Sequence, residues 1–169
     1  MRGTALLLAC AVMACSPGTA EAGAKGDAKT LAEAAAVHPI SGLPVIPLTI
    51  KTAQGKKSFR VELAVTNQEQ AKGLMFRTEM GANEGMLFIR NSPGVASFWM
   101  RNTVIPLDII YIGTDGRILN IVNAIPYDET PLRSQGIAAA VLELNGGRAE
   151  QLGIKPGDSV SWTMPDPVR

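Results

Sequence analysis

The chain is poor in the residues that carry most recognisable chemistry. It has two cysteines, one histidine and eight aromatic side chains (two Trp, two Tyr, four Phe) in 169 residues. Both cysteines, Cys10 and Cys15, fall in the first fifteen positions. A mature domain starting after them has no thiol, which excludes disulfides, cysteine nucleophiles and thiolate metal sites. The solitary histidine, His38, sits next to Pro39 at the end of a linker-like stretch, and one imidazole makes neither a zinc site nor a triad. Charge of one sign is also missing, with 16 Lys+Arg against 15 Asp+Glu. Without a basic excess or aromatic platforms in basic surroundings, nucleic acid is excluded as the expected partner. The longest apolar run near the start, Ala5 to Met13, has nine residues, well short of the ~20 that span a bilayer.

That short run is a targeting signal. Arg2 supplies a positive start, and Val12-Met13-Ala14-Cys15 has the form of a lipobox, in which Cys15 becomes the lipidated first residue. Ala20-Glu21-Ala22 before Gly23 offers an alternative cleavage after residue 22 by the A-x-A rule. The expected organisation is a signal peptide over 1–14, a flexible tether over 15–42 and one β domain over 43–165. The expected location is the periplasmic side of a bacterial envelope, with a lipid anchor as the only membrane attachment and a monomeric domain beyond it.

The domain reads as strands. Pro44 and Pro47 confine the first stretch to a sheet edge. Lys56 to Thr66 alternates, with Phe59, Val61, Leu63 and Val65 on one face and Arg60 and Glu62 on the solvent face of an antiparallel pair. Thr66 and Glu69 form a capping box ahead of a short helix that Gly73 closes as a left-handed cap. Gly85 to Arg90 is a buried strand, and Asn91-Ser92-Pro93-Gly94 is a turn signal. Asp115-Gly116 marks a hairpin between two apolar strands. Residues 126–136 form an extended loop, Ala138 to Asn145 another strand, and Gly147 to Gly153 a second helical stub before a last strand. Many short strands with only two stubs of helix predict an all-β fold, a β-sandwich or jelly-roll-like barrel of antiparallel strands.

Five segments, GLMFR (Gly73 to Arg77), GMLF (Gly85 to Phe88), FWMRNTVIPLDIIYI (Phe98 to Ile112), VLELNGG (Val141 to Gly147) and LGIKPGD (Leu152 to Asp158), resemble the domain of unknown function 192 family. The resemblance implies a compact, often exported sandwich of jelly-roll type and brings no agreed activity.

Candidate site residues come from polar groups inside apolar strands. By period 2, Asp108 shares a face with Ile110 and Ile112, so it needs a donor, with Arg77 the expected bidentate partner and turn amides or Asn102 and Thr103 the alternative. Glu143 interrupts Val141 to Asn145 in the same way. If Asp108 and Glu143 shared a cleft they would form a carboxylate pair of the glycosidase sort; otherwise Glu143 faces solvent. Trp99 beside Arg101, Asn102 and Thr103 is either a platform for a ligand of mixed polarity or a core side chain. The methionines are irregularly spaced and fill the core, so no metal and no cofactor is expected. The leading expectation is a binding or accessory module whose groove holds Arg77, Trp99, Asn102, Thr103, Asp108 and Glu143. Its partner would be a small molecule, a glycan or an envelope protein. The alternatives are a hydrolase acting through Asp108 and Glu143, and a structural partner that uses its sheet edges.

Overall fold

The computed structural model describes residues 36–165. The signal peptide, the lipobox Cys15 and most of the tether lie outside them. Eight strands form one sheet: β1 (Ala36–Val37), β2 (Pro44–Thr52), β3 (Gly55–Ala64), β4 (Glu84–Phe98), β5 (Leu107–Gly113), β6 (Ile118–Ala124), β7 (Leu132–Asn145) and β8 (Ser159–Trp162). Two short helices interrupt them, α1 (Asn67–Lys72) and α2 (Arg148–Leu152). The strand order is β1-β2-β3-β4-β7-β5-β6, and β8 also pairs with β2. The fold is all-β and sandwich-like, and the sheet is not closed into a barrel. An isolated bridge, Arg117 with Ser159, and a few turn hydrogen bonds connect the start of β6 to β8.

Both faces of the sheet are buried, which explains its composition. Ile46, Leu48, Phe59, Val61, Leu87, Ile110, Ile112, Leu142 and Val160 form one core, so strands from opposite ends of the order share it. Met86, Phe88, Ile109, Tyr111 and Val141 belong to a second core on the other face, beneath Leu74 and Met100 from the loops. All seven residues of β5 are consequently buried, and the strand reads as an apolar run broken only by Asp108 rather than as an alternation.

Several local expectations hold. Thr66 Oγ1 accepts from the Glu69 amide at 3.2 Å and Glu69 returns a carboxylate oxygen to the Thr66 amide at 2.8 Å, a complete capping box. The Asp115-Gly116 turn joins antiparallel β5 and β6, and Gly153 caps α2 in the left-handed conformation.

Other features differ from the pattern. The pairing of β3 with β4 is parallel. A parallel neighbour needs a crossover of a dozen residues or more, and α1 with the loop after it is that crossover. Asn91 to Gly94 does not turn the chain: β4 runs through it, and the ladder to β7 absorbs the irregularity as a register shift between Ile89 and Gly94. Gly73 closes α1 at positive φ (46°) but with ψ of −135°, outside the left-handed helical cap. Residues 36–42, expected as tether, belong to the domain: Ala36 and Val37 pair with Val45 and Pro44, and the amide of His38 donates to the Leu43 carbonyl at 2.9 Å. Among the described residues no helix is long and apolar enough to cross a membrane.

Candidate functional site

The second core places Glu143. In β7 it alternates with Leu142 and Leu144, so it points to the face of Val141, between Met86 of β4 and Ile109 of β5 in the ladder. Its side chain is not solvent-facing: Glu143 is 5% exposed, and its carboxyl makes no hydrogen bond among the described residues. Burial pushes its pKa up to about 8, so the group is a neutral acid at neutral pH, since an unpaired charge in an apolar site is costly. The Tyr111 phenol is raised as well, first by its own burial and then by Glu143.

Above Glu143 is a cavity of about 320 Å³, walled by Met75, Phe88, Phe98, Trp99 and Thr103, with Gln70 and Lys72 of α1 and Arg90 of β4 along it. Phe88 and Phe98 meet edge to face at 5.1 Å. The Nε of Arg90 is buried without a hydrogen-bond partner among the described residues. The cavity is therefore lined by two residues of opposite charge type, Glu143 with no hydrogen bond to its carboxyl among the described residues and Arg90 with a buried unpartnered Nε, where buried polar groups are ordinarily paired.

The rim is held by an unusual backbone. Phe76 (φ 63°), Asn102 (φ 54°) and Tyr127 (φ 64°) are the non-glycine residues at positive φ among those described. All three meet at one turn. The Phe76 amide donates to the Asn102 carbonyl at 2.8 Å, and the Tyr127 amide to the Thr103 carbonyl at 3.2 Å. Their rings stay outside, with Phe76 70% and Tyr127 64% exposed. Trp99, 49% exposed, has the Arg101 guanidinium 4.4 Å from its ring centroid, and Glu129 holds that guanidinium at 2.6 Å. Bulky residues at positive φ are strained, and such strain gathers at functional surfaces.

The residues singled out in the sequence divide between two faces and two cavities. Trp99, Thr103 and Glu143 line one cavity and Asn102 sits on its rim, its amide facing the Met75 sulfur at 3.9 Å. Asp108 does not join them. It is fully buried on the opposite face, where it accepts from the amides of Gly147 at 2.9 Å and Ala149 at 2.7 Å and from the Asn123 side chain. The alternation of β5 and β7 that sends Asp108 to one face sends Glu143 to the other, so the two carboxylates share no cleft. Asp108 is the anchor for the start of α2.

Arg77 does not grip Asp108 either. Its guanidinium binds Glu62 through both nitrogens, at 2.8 and 3.0 Å, with the two side chains 6% and 4% exposed. His38 Nδ1 lies 3.6 Å from the same carboxylate. Glu62, expected on a solvent face, is buried because that face carries the second core. This pair borders a separate cavity of about 360 Å³ lined by His38, Arg77, Glu79 and Glu84.

Arg90 was not singled out by the sequence reading, yet the signal existed: it is in phase with Met86 and Phe88 in an apolar strand, the criterion that picked out Asp108 and Glu143. Met75, Phe88 and Phe98 look like core residues in sequence and serve as both core and cavity wall.

Fold and cavity together define an all-β domain with an unpaired acid beneath an aromatic-walled pocket. The family model described as uncharacterized ACR, the domain of unknown function 192, matches residues 49–162, and the chain belongs to that family. It is similar to a solved protein of unknown function from Novosphingobium aromaticivorans, at 63% identity and a TM-score of 0.74, with 81% of this chain and 100% of that one covered. It is also similar to a Sinorhizobium meliloti protein named as a candidate transcription regulator, at 38% identity and a TM-score of 0.69, covering 71% of this chain and 95% of the other. No curated protein matches the chain.

Proposed function

We propose that the protein is a binding module, exported and lipid-anchored through Cys15, whose ligand site is the cavity over Glu143. The observation that carries this reading is the coincidence, along one pocket, of a buried Glu143 whose carboxyl makes no hydrogen bond among the described residues and of Arg90, whose Nε is buried without a partner among them. A ligand that supplies their partners removes a standing desolvation cost, and the aromatic walls add apolar contact. The cavity, at about 320 Å³, is of a size that takes a small molecule. The regulator name of the Sinorhizobium protein is not carried over. The balanced charge argues against a nucleic-acid face, and Arg77 and Arg101 are already engaged by Glu62 and Glu129.

The test is a small-molecule library screened by thermal shift against the full chain and its Trp99→Ala variant, Trp99 being half exposed and so replaceable without breaking the core. A ligand at a hundredfold excess over Kd stabilises by about 2.7 kcal/mol, a rise of several degrees in a domain of this size. Hits that disappear in Trp99→Ala support the reading. Hits indifferent to it, or no hits, reject it. Anchoring is tested by Cys15→Ala, which releases the protein from detergent-extracted membranes if the lipobox is used and leaves it there if it is not.

A further inference from the structure

Resting on that reading of the cavity, we infer that its ligand is a small zwitterion, with an ammonium group at Glu143 and a carboxylate or similar anion at Arg90. The unsatisfied groups are complementary to that chemistry. A carboxyl with no donor in reach is satisfied by a cation, and a guanidinium Nε–H with no acceptor is satisfied by an anion. A neutral sugar hydroxyl would meet either group but would leave the acid uncharged.

The surroundings favour the same assignment at each end. Phe88, Phe98 and Trp99 wall the cavity, and aromatic faces attract ammonium groups. Trp99 already carries a cation on its ring, that of Arg101 at 4.4 Å. Lys72 lies with Arg90 among the lining residues and adds to the anion-attracting end.

The sheet register sets the spacing. Glu143 is opposite Met86, and Arg90 is four residues further along β4 on the same face. At about 3.3 Å per residue their backbones are roughly 13 Å apart. The Arg90 guanidinium lies beside Gly94, further along β4 than Arg90 and away from Glu143, so the two charged ends are not drawn together, which suits an extended ω-amino acid better than an α-amino acid.

Binding of an ammonium would ionise Glu143. The other titratable or charged groups around it are the Tyr111 phenol on β5, Arg90 on β4, Lys72 on α1 and, two strands away on the same face, Glu62 of β3 already paired with Arg77. Capture of the cation near pH 7 therefore releases close to one proton, and affinity rises up to about tenfold per pH unit between pH 6 and 8.

Glycine, 4-aminobutanoate, 6-aminohexanoate, hexylamine and hexanoate titrated into the full chain by calorimetry, in two buffers of different ionisation enthalpy, test this. The expected result is that a longer ω-amino acid binds at least tenfold tighter than hexylamine or hexanoate and releases close to one proton. The release disappears in Glu143→Gln, and the advantage over hexylamine disappears in Arg90→Gln. Equal affinity for single-ended and double-ended compounds, or zwitterion binding unchanged in both variants, overturns the inference. If these compounds fail while a neutral library compound binds in a Trp99-dependent way, the zwitterion is wrong and the binding module stands. If neither binds, both fall.

Discussion

Replacing Glu143 with glutamine should stabilise the protein at neutral and alkaline pH, and the size of the effect follows from its burial. The ordinary pKa of 4.5 rises to about 8 in the folded domain. Below pH 4 the carboxyl is protonated in both folded and unfolded chains, and Glu143 costs little. Between pH 4.5 and 8 the unfolded chain loses the proton while the folded one keeps it. Stability therefore falls with rising pH, by about 1.4 kcal/mol per unit. The loss is complete above pH 8, where both states are ionised, and amounts to roughly 5 kcal/mol at most, with about 3 kcal/mol already present at pH 7. Glutamine has nearly the same shape and no proton to lose. Urea unfolding of wild type and Glu143→Gln from pH 4 to 9 isolates this one group, because all other titrations cancel in the difference. The two stabilities should diverge steadily above pH 4.5 in favour of the variant and level off above 8. Parallel curves would refute the claim that the carboxyl is buried and unpaired.

The remaining perturbations concern the frame around the cavity. Arg77→Met strands the buried Glu62 carboxylate and should destabilise by about 3–5 kcal/mol, whereas Glu62→Met with Arg77→Met should recover most of that loss in chemical denaturation. Asp108→Ala frees two backbone amides and should cost roughly 3–5 kcal/mol, with no effect on ligand binding once the variant is folded, as calorimetry below its Tm would show. Gly85→Ala places a methyl 2.5 Å from the Glu143 carbonyl and 2.8 Å from Leu144, so its Tm should fall by at least several degrees through overpacking. Phe76→Gly and Tyr127→Gly remove exposed rings from positive φ. Each should change unfolding stability by less than about 1 kcal/mol, because relief of strain offsets the added freedom of the unfolded chain.

The sequence carries the strands and the caps because both are local. Capping at Thr66 and Glu69 and turning at Asp115-Gly116 depend on residues within a few positions. Partners are not local, and there the reading failed in a consistent way. Arg60 and Glu62 alternate with apolar residues as they would on a solvated sheet, and Arg60 is exposed as that pattern predicts, but loops with Leu74 and Met100 cover the face at Glu62, which finds Arg77 there. Asp108 was rightly read as needing donors, and the turn-amide alternative holds rather than Arg77, but the amides are those of Gly147 and Ala149, 39 and 41 positions away, so no short-range pattern could name them. Glu143 and Arg90 carried the same signal, a charged residue in phase with an apolar face. What the pattern could not say is that Asp108 would be satisfied and Glu143 would not. The register of β4, β5 and β7 decides that, and it also separates the two carboxylates that a linear reading set side by side.

The central claim is that the Glu143 cavity is the ligand site. The most direct measurement is amide chemical-shift mapping by NMR of the labelled full chain, titrated with the best-binding compound from the library. The account predicts perturbations concentrated in Gln70 to Met75, Ser97 to Thr103 and around Glu143 and Arg90, the segments that line this cavity. Shifts centred instead on His38, Arg77 and Glu84 would move the site to the second cavity and contradict it.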